Sequence, residues 1–233
     1  MDARVCTYDW MTMRKSYILM IRLFFCWMAI VGSQAAELST LPQQDQAVLS
    51  RLEKQFSGIK SIKTHFTQEK KLAIFDKPMV LHGWIALDNA GHFAWHVQHP
   101  LKYSLVVADG VISQWDEDSG NVQKTRLSNN PVLGVVFEQL TRWFSGQYAS
   151  FSDKYNLVVQ QESPTIISFS PKPDTMEHKV IQQVVIHFAD DEHYLNQLVI
   201  DEASGDTTTL IFKDTLINPV LPETTWSIHA NGK

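Results

Sequence analysis

Two periodicities divide the chain. Over residues 40–56 the apolar residues Leu49, Leu52 and Phe56 recur at helical spacing, with Gly58 just beyond as a C-cap glycine, which predicts an amphipathic helix. From Ile62 the period becomes two. The stretch "IKTHFTQEKK" puts Ile62, Thr64, Phe66 and Gln68 on one face and Lys63, His65, Thr67 and Glu69 on the other, the pattern of a half-buried strand. Further strands are predicted over residues 80–87, 93–97, 103–108 and 111–115, and later over 155–161, 166–170, 180–188, 195–201 and 207–213.

The turns between these strands carry their own chemistry. Asp109-Gly110 is a two-residue hairpin signal, because both residues tolerate positive φ. A tight hairpin there sets Ala108 opposite Val111 and Ser104 opposite Trp115. One face then carries Val106, Ala108, Val111 and Trp115, and the other Tyr103, Leu105, Val107 and Ile112. Both are largely apolar, so the pattern leaves open which looks inward.

A second helix interrupts the strands in "SNNPVLGVVFEQLTRWFSGQ". Asn130 can cap it, Pro131 suits its first turn, and Leu133, Val136, Phe137, Leu140, Trp143 and Phe144 form one apolar face before Gly146 closes it. About ten strands with two helices predict a mainly β protein: an incomplete, half-open antiparallel β-barrel whose hollow the inserted helix covers as a lid. No internal repeat divides the chain.

The N-terminus changes this picture by removing residues from it. Arg14, Lys15 and Arg22 precede the apolar run "LFFCWMAIVG" and then "SQAAE", the arrangement of a cleavable signal peptide over residues 1–35. The run is shorter than the roughly 20 apolar residues of a spanning helix. Residues 36–233 are then one domain. Cys6 and Cys26 both lie in the leader, which excludes disulfides, thiolate catalysis and Cys-ligated zinc from the rest. The chain carries a net charge of −5, and once the leader's four basic and two acidic residues are set aside the remainder carries −7. With no Lys/Arg-rich run, nucleic-acid binding is not expected.

Candidate chemistry centres on residues 92–115, "HFAWHVQHPLKYSLVVADGVISQW". His92 and His96 are four apart on a strand, hence roughly 13 Å apart at about 3.3 Å per residue, too far to share one metal ion. They are expected to face solvent. "DEDSGN" (residues 116–121) lacks the full calcium-loop pattern and is expected to be a hairpin turn. No nucleophile elbow or phosphate loop occurs. The aromatics Phe66, Phe93, Trp95, Trp115, Trp143 and Trp226 read either as core or as rigid walls of a ligand hollow.

"FTQEK", Gly83, "HFAWHVQHP", "VADGVISQW" and "GDTTTLIF…NPVLPETTW" stand in an order that resembles the LolA-type outer-membrane lipoprotein carriers. The resemblance implies a soluble, monomeric periplasmic carrier, not an enzyme, needing no cofactor and no metal. An apolar hollow would take the acyl chains of a lipoprotein or a related lipid. Phe66, Phe93, Trp95 and Trp115 would line it, with Leu133, Val136, Phe137, Leu140 and Trp143 as lid residues. An inner-membrane donor complex and an outer-membrane acceptor are the implied partners. Asn89 stands near the place of the Arg of a lid-latching Arg-Pro pair, and "KKLAIFDKPMVLHG" points to a divergent branch, which leaves the cargo open between a lipoprotein and another acyl or polyene lipid. A sensor or acceptor of the same fold, and a periplasmic hydrolase using a reactive serine, are the alternative classes.

Overall fold

The computed structural model describes residues 41–129, 137, 141–175 and 177–228. The proposed leader lies outside them, as do Leu133, Val136 and Leu140 of the expected lid. Helix α1 (Gln43–Phe56) buries Val48, Leu49, Leu52 and Phe56, the apolar stripe that its sequence spacing sets on one side. Its end differs from expectation. Gly58 does not take the left-handed conformation; Ser57 caps the helix in the right-handed region, donating its N–H to Glu53 O and its hydroxyl to Lys54 O.

Eleven strands follow: β1 (Ser61–Lys71), β2 (Met79–Asp88), β3 (Phe93–His99), β4 (Tyr103–Ala108), β5 (Val111–Asp116), β6 (Val122–Arg126), β7 (Tyr155–Glu162), β8 (Thr165–Pro171), β9 (Ile181–Phe188), β10 (Leu195–Glu202) and β11 (Thr207–Ile217). They form one antiparallel sheet in the order β6-β5-β4-β3-β2-β1-β11-β10-β9-β8-β7. Two meanders therefore run outward from a central β1–β11 pair. The edge strands β6 and β7 do not pair, so the sheet is an open, unclosed barrel. One more strand is present than the sequence pattern indicated. All five residues of β6 are exposed, so "VQKTR" has no alternation to betray it.

The interrupting segment links the two outer strands of this order. Residues 127–154 join β6 at one edge of the sheet to β7 at the other, and Phe137, Trp143 and Phe144 of this segment pack against the core. Of this segment, Phe137 and residues 141–144 are helical. Gly146 closes the helix with φ +78°, and a Cβ there would stand 2.6 Å from Phe56 Cβ. Only glycine meets both demands.

The core fills the concave side. It draws Ile62 and Phe66 from β1, Ile85 and Leu87 from β2, Phe93, Trp95 and Val97 from β3, and Tyr103, Leu105 and Val107 from β4, with partners from β8–β11. The expected hairpin is present: Asp109 and Gly110 have φ 51° and 70°, and Ala108 pairs with Val111 and Ser104 with Trp115. Tyr103, Leu105, Val107 and Ile112 look inward. On the convex side Ala86, Ala94 and Val106 form a second small cluster, covered by Leu221, Trp226 and Ile228 of the C-terminal segment. That cover explains why both faces of β3 are buried from Phe93 to Val97.

Candidate functional site

The concave surface of β1–β3 carries a run of aromatic rings. Phe66 lies 4.6 Å from Trp95, Trp95 6.4 Å from Phe93, and Phe93 meets Phe137 edge-on at 5.9 Å, all between ring centroids. The register builds this row. Phe66 pairs with Gly83, Trp95 with Ile85 and Leu105, and Phe93 with Leu87 and Val107. Gly83 leaves the room Phe66 needs: a Cβ there would fall 2.9 Å from Phe66 Cζ and 1.9 Å from the His96 carbonyl oxygen. The ring of Phe66 can then lie across β2 onto Trp95.

Phe66, Phe93 and Trp95 are buried, and Phe137 on the crossing segment is half-buried against them. Further along the segment, Phe144 packs edge-on against Phe212 of β11 at 5.5 Å. Trp143 joins a different group. It lies 6.1 Å from Phe151, which with Phe56, Tyr148, Tyr155, Phe169 and Phe188 forms a second aromatic cluster over β7–β9. The Tyr148 hydroxyl donates to Trp143 O at 2.6 Å, and burial raises its pKa well above the usual phenol value. Phe144 stood on the apolar face of the expected lid helix; Phe212 was absent from the sequence reading of the site, although the alternation Thr208, Leu210, Phe212 in β11 carries the signal.

Trp115 does not belong with Phe66, Phe93 and Trp95. Its partner across the hairpin is Ser104, whose face is the convex one shared with Val106, so Trp115 is buried on the opposite side of the sheet. The histidines also depart from expectation. His96 is buried on that convex face, its Nδ1 2.8 Å from Ser104 Oγ and its ring stacked on Trp84 at 4.2 Å. His92 is half-buried, with Nδ1 2.8 Å from Asp88 Oδ2 and its ring 5.1 Å from Trp226. Trp226 of the C-terminal segment thus lies against His92, while Trp84 and Ser104 enclose His96. Among the described residues no three His, Cys, Asp or Glu side chains converge on one point. Residues 116–121 form a hairpin turn, with Asp116 Oδ1 accepting from Ser119 N at 2.7 Å.

Polar side chains interrupt the concave face along β1. Thr64 Oγ1 sits 2.8 Å from Thr215 Oγ1. At the far end Lys70 pairs with Glu202, whose Oε1 also accepts from Thr208 Oγ1 at 3.2 Å, and Asp206 is 3.9 Å away. Between them lies Gln68, 7% exposed, opposite Leu81 and Leu210.

Helix α1 is fastened over the other half of the sheet. Glu192, in the β9–β10 turn, is paired with Arg51 and accepts from Thr165 N at 2.9 Å, with Thr165 Oγ1 2.5 Å away. Burial pushes the Glu192 carboxyl up. The hydrogen bonds from Arg51 and Thr165, together with the Arg51 charge, outweigh this and hold it below the usual carboxylate value. Asp45 Oδ2 meanwhile accepts from Val159 N at 3.3 Å, so the helix also covers the β7 edge.

A family model described as outer membrane lipoprotein carrier protein LolA matches residues 57–229. An outer-membrane lipoprotein carrier protein of Pseudoalteromonas translucida (strain TAC 125) is 24% identical over 175 residues, which cover 75% of this chain and 79% of that protein. Among solved structures, a LolA superfamily protein from Nitrosomonas europaea is similar with a TM-score of 0.41 and 9% identity, over 78% of this chain and 97% of its own. The lipoprotein LppX of Mycobacterium tuberculosis is similar with a TM-score of 0.43 and 15% identity, over 76% and 98%.

Proposed function

The chain belongs to the LolA family of outer-membrane lipoprotein carriers, and from that premise we propose that it is a non-catalytic periplasmic carrier of acyl chains. In this reading residues 1–35 are a cleaved signal peptide, residues 36–233 are the carrier domain, and the cargo is a lipoprotein or a related acylated lipid. An inner-membrane donor loads it and an outer-membrane acceptor relieves it. Among the described residues no helix is long and apolar enough to cross a membrane.

The observation that carries this reading is the one-sided aromatic row Phe66–Trp95–Phe93, on which Phe137 of the segment joining the two edges of the sheet packs. Phe66, Phe93 and Trp95 are the wall, and the segment bearing Phe137 is the cover. Energetics favour exchange. Burying a whole Phe side chain is worth about 1.5–3 kcal/mol, against about 0.8 kcal/mol for every methylene of an acyl chain. A chain of several methylenes therefore outbids one covering ring.

Position is testable by quenching with a fatty acid brominated along its chain. Delipidated protein should lose tryptophan fluorescence on titration, Trp95→Phe should remove most of that quench, and Trp115→Phe should leave it in place. Absence of any quench in the delipidated wild type would reject acyl carriage.

A further inference from the structure

The stretch "KKLAIFDKPMVLHG" stands apart in the sequence, and the fold leaves its middle outside the core. That middle is the β1–β2 loop, residues 72–78, where Ile74 is 84% exposed and Phe75 50%. Large apolar residues exposed singly are ordinary. Two adjacent ones at a turn, with Leu72 half-buried beside them, form a continuous apolar tip. The turn is braced. Phe75 N donates to Leu72 O at 3.1 Å and Ala73 N to Asp206 Oδ1 at 2.9 Å, while Lys70 at its foot pairs with Glu202.

Shape and charge decide what such a tip fits. A protein partner has to supply a matching pocket and bury about 800 Å² on each side. A lipid surface accepts a protruding apolar pair without matching shape: the side chains enter the acyl boundary and flanking lysines stay level with the headgroup phosphates. Lys71 and Lys77 flank the tip and are exposed, against Asp76 as the one carboxylate within residues 72–78. Of the carboxylates at this end of the sheet, Glu202 and Asp206 face Lys70, and Asp116, Glu117 and Asp118 stand at the outer β5–β6 hairpin. The turns at the opposite end carry Asp88, Asp109, Asp190, Asp191 and Glu192. An anionic surface is therefore met more easily by the loop than by the far end.

We propose that the β1–β2 loop is a membrane-docking tip, inserting Ile74 and Phe75 into the surface of an anionic bilayer with Lys71 and Lys77 against its phosphates. Two side chains make the contact shallow and reversible. This goes beyond the carrier reading and does not depend on what the hollow holds. It lets the chain meet a lipid surface without a protein receptor.

With Cys6 and Cys26 in the proposed leader, the exported protein accepts a single cysteine label. Ala73→Cys, exposed beside the tip, and Val220→Cys, 96% exposed beyond the other end of β11, each carry a nitrobenzoxadiazole group. On mixed phosphatidylethanolamine–phosphatidylglycerol vesicles the label at position 73 should shift to the blue and be quenched by spin-labelled lipid, and the label at 220 should not change. In flotation with the same vesicles, Ile74→Ser with Phe75→Ser should lose about tenfold or more of the binding. Lys71→Gln and Lys77→Gln should each lose about fivefold. All these variants should keep the wild-type melting temperature and the wild-type affinity for a fatty-acyl probe, since the replaced side chains are exposed. Equal changes at both labels, or flotation indifferent to the serine substitutions, would overturn the tip. Wild type that binds the acyl probe but does not float would overturn it in favour of a protein partner and leave acyl carriage standing. Loss of acyl-probe binding together with flotation in the serine variant would put Ile74 and Phe75 on the cargo path and overturn it too.

Discussion

Phe137→Ala separates a cover that competes with cargo from a ring that merely fills space. In the closed arrangement Phe137 is half-buried and meets Phe93 edge-on at 5.9 Å. Half of a whole Phe burial, itself about 1.5–3 kcal/mol, plus an edge-to-face pair of about 0.5–1.5 kcal/mol, gives about 2 kcal/mol for this contact. Removing it should lower the melting temperature by about 4–8 °C, at about 2–4 °C per kcal/mol for a domain of this size. If cargo must displace the ring from Phe93, the same 2 kcal/mol opposes binding. The variant should then bind acyl chains up to about 30-fold more tightly, since each 1.4 kcal/mol is tenfold and apparent affinity scales with the open fraction. The assay is titration of a fluorescent fatty-acyl probe into delipidated protein, beside thermal melting. Lower stability with weaker binding would show that the ring is part of the cargo wall. Lower stability with unchanged affinity would show that cargo does not take the place of Phe137 on Phe93, and either result refutes the competition argument.

Other substitutions test the framework around the site. Gly83→Ala puts a Cβ 1.9 Å from the His96 carbonyl oxygen; overpacking of this kind costs about 1–3 kcal/mol, and differential scanning should read it as a loss of several degrees in Tm. Arg51→Ala leaves the Glu192 carboxylate buried with only Thr165, and urea unfolding should show a loss of about 1–3 kcal/mol. Because the folded pKa of Glu192 is depressed, its contribution to stability is full above the unfolded carboxylate value near 4.3 and drains away as pH falls through the folded value. Wild type and Glu192→Gln should therefore converge in Tm on acidification, and a gap unchanged from pH 6 to pH 3 would contradict this.

The two meanders, the Asp109-Gly110 hairpin and the burial of Ile62, Thr64, Phe66 and Gln68 were legible in the sequence because each rests on local rules: period-two alternation and turn chemistry. Strand β6 was not, since an edge strand exposed throughout has no apolar side to reveal it. The end of α1 was misread for a similar reason. A glycine near a helix end is only a frequent terminator, and here the Ser57 hydroxyl and Ile59 N–H satisfy the final carbonyls while Gly58 keeps ordinary backbone angles.

Which face of β3–β5 turns inward is not encoded locally. Pairing Ser104 with Trp115 follows from the hairpin alone, yet which side of that pair meets the core depends on what lies over each face. That is decided by segments distant in sequence. Leu221, Trp226 and Ile228 return from the C-terminus to cover Ala86, Ala94 and Val106, on the face of the sheet where Trp115 and His96 also lie buried. Phe137 of the crossing segment meanwhile packs on Phe93. Two apolar faces on one strand need two covers, and no local pattern states which cover is the permanent one. The topology does. The C-terminal segment continues directly from β11, the centre of the sheet, and Asn218 is tied back to the start of β1 through Lys60 N, at 2.6 Å, and Gly58 O, at 3.1 Å. The crossing segment is anchored at the two outer edges. Under the carrier proposal the crossing segment, joined to the sheet at its edge strands β6 and β7, is the cover that gives way to cargo, and the cargo site is the aromatic row Phe66–Trp95–Phe93 rather than Trp115.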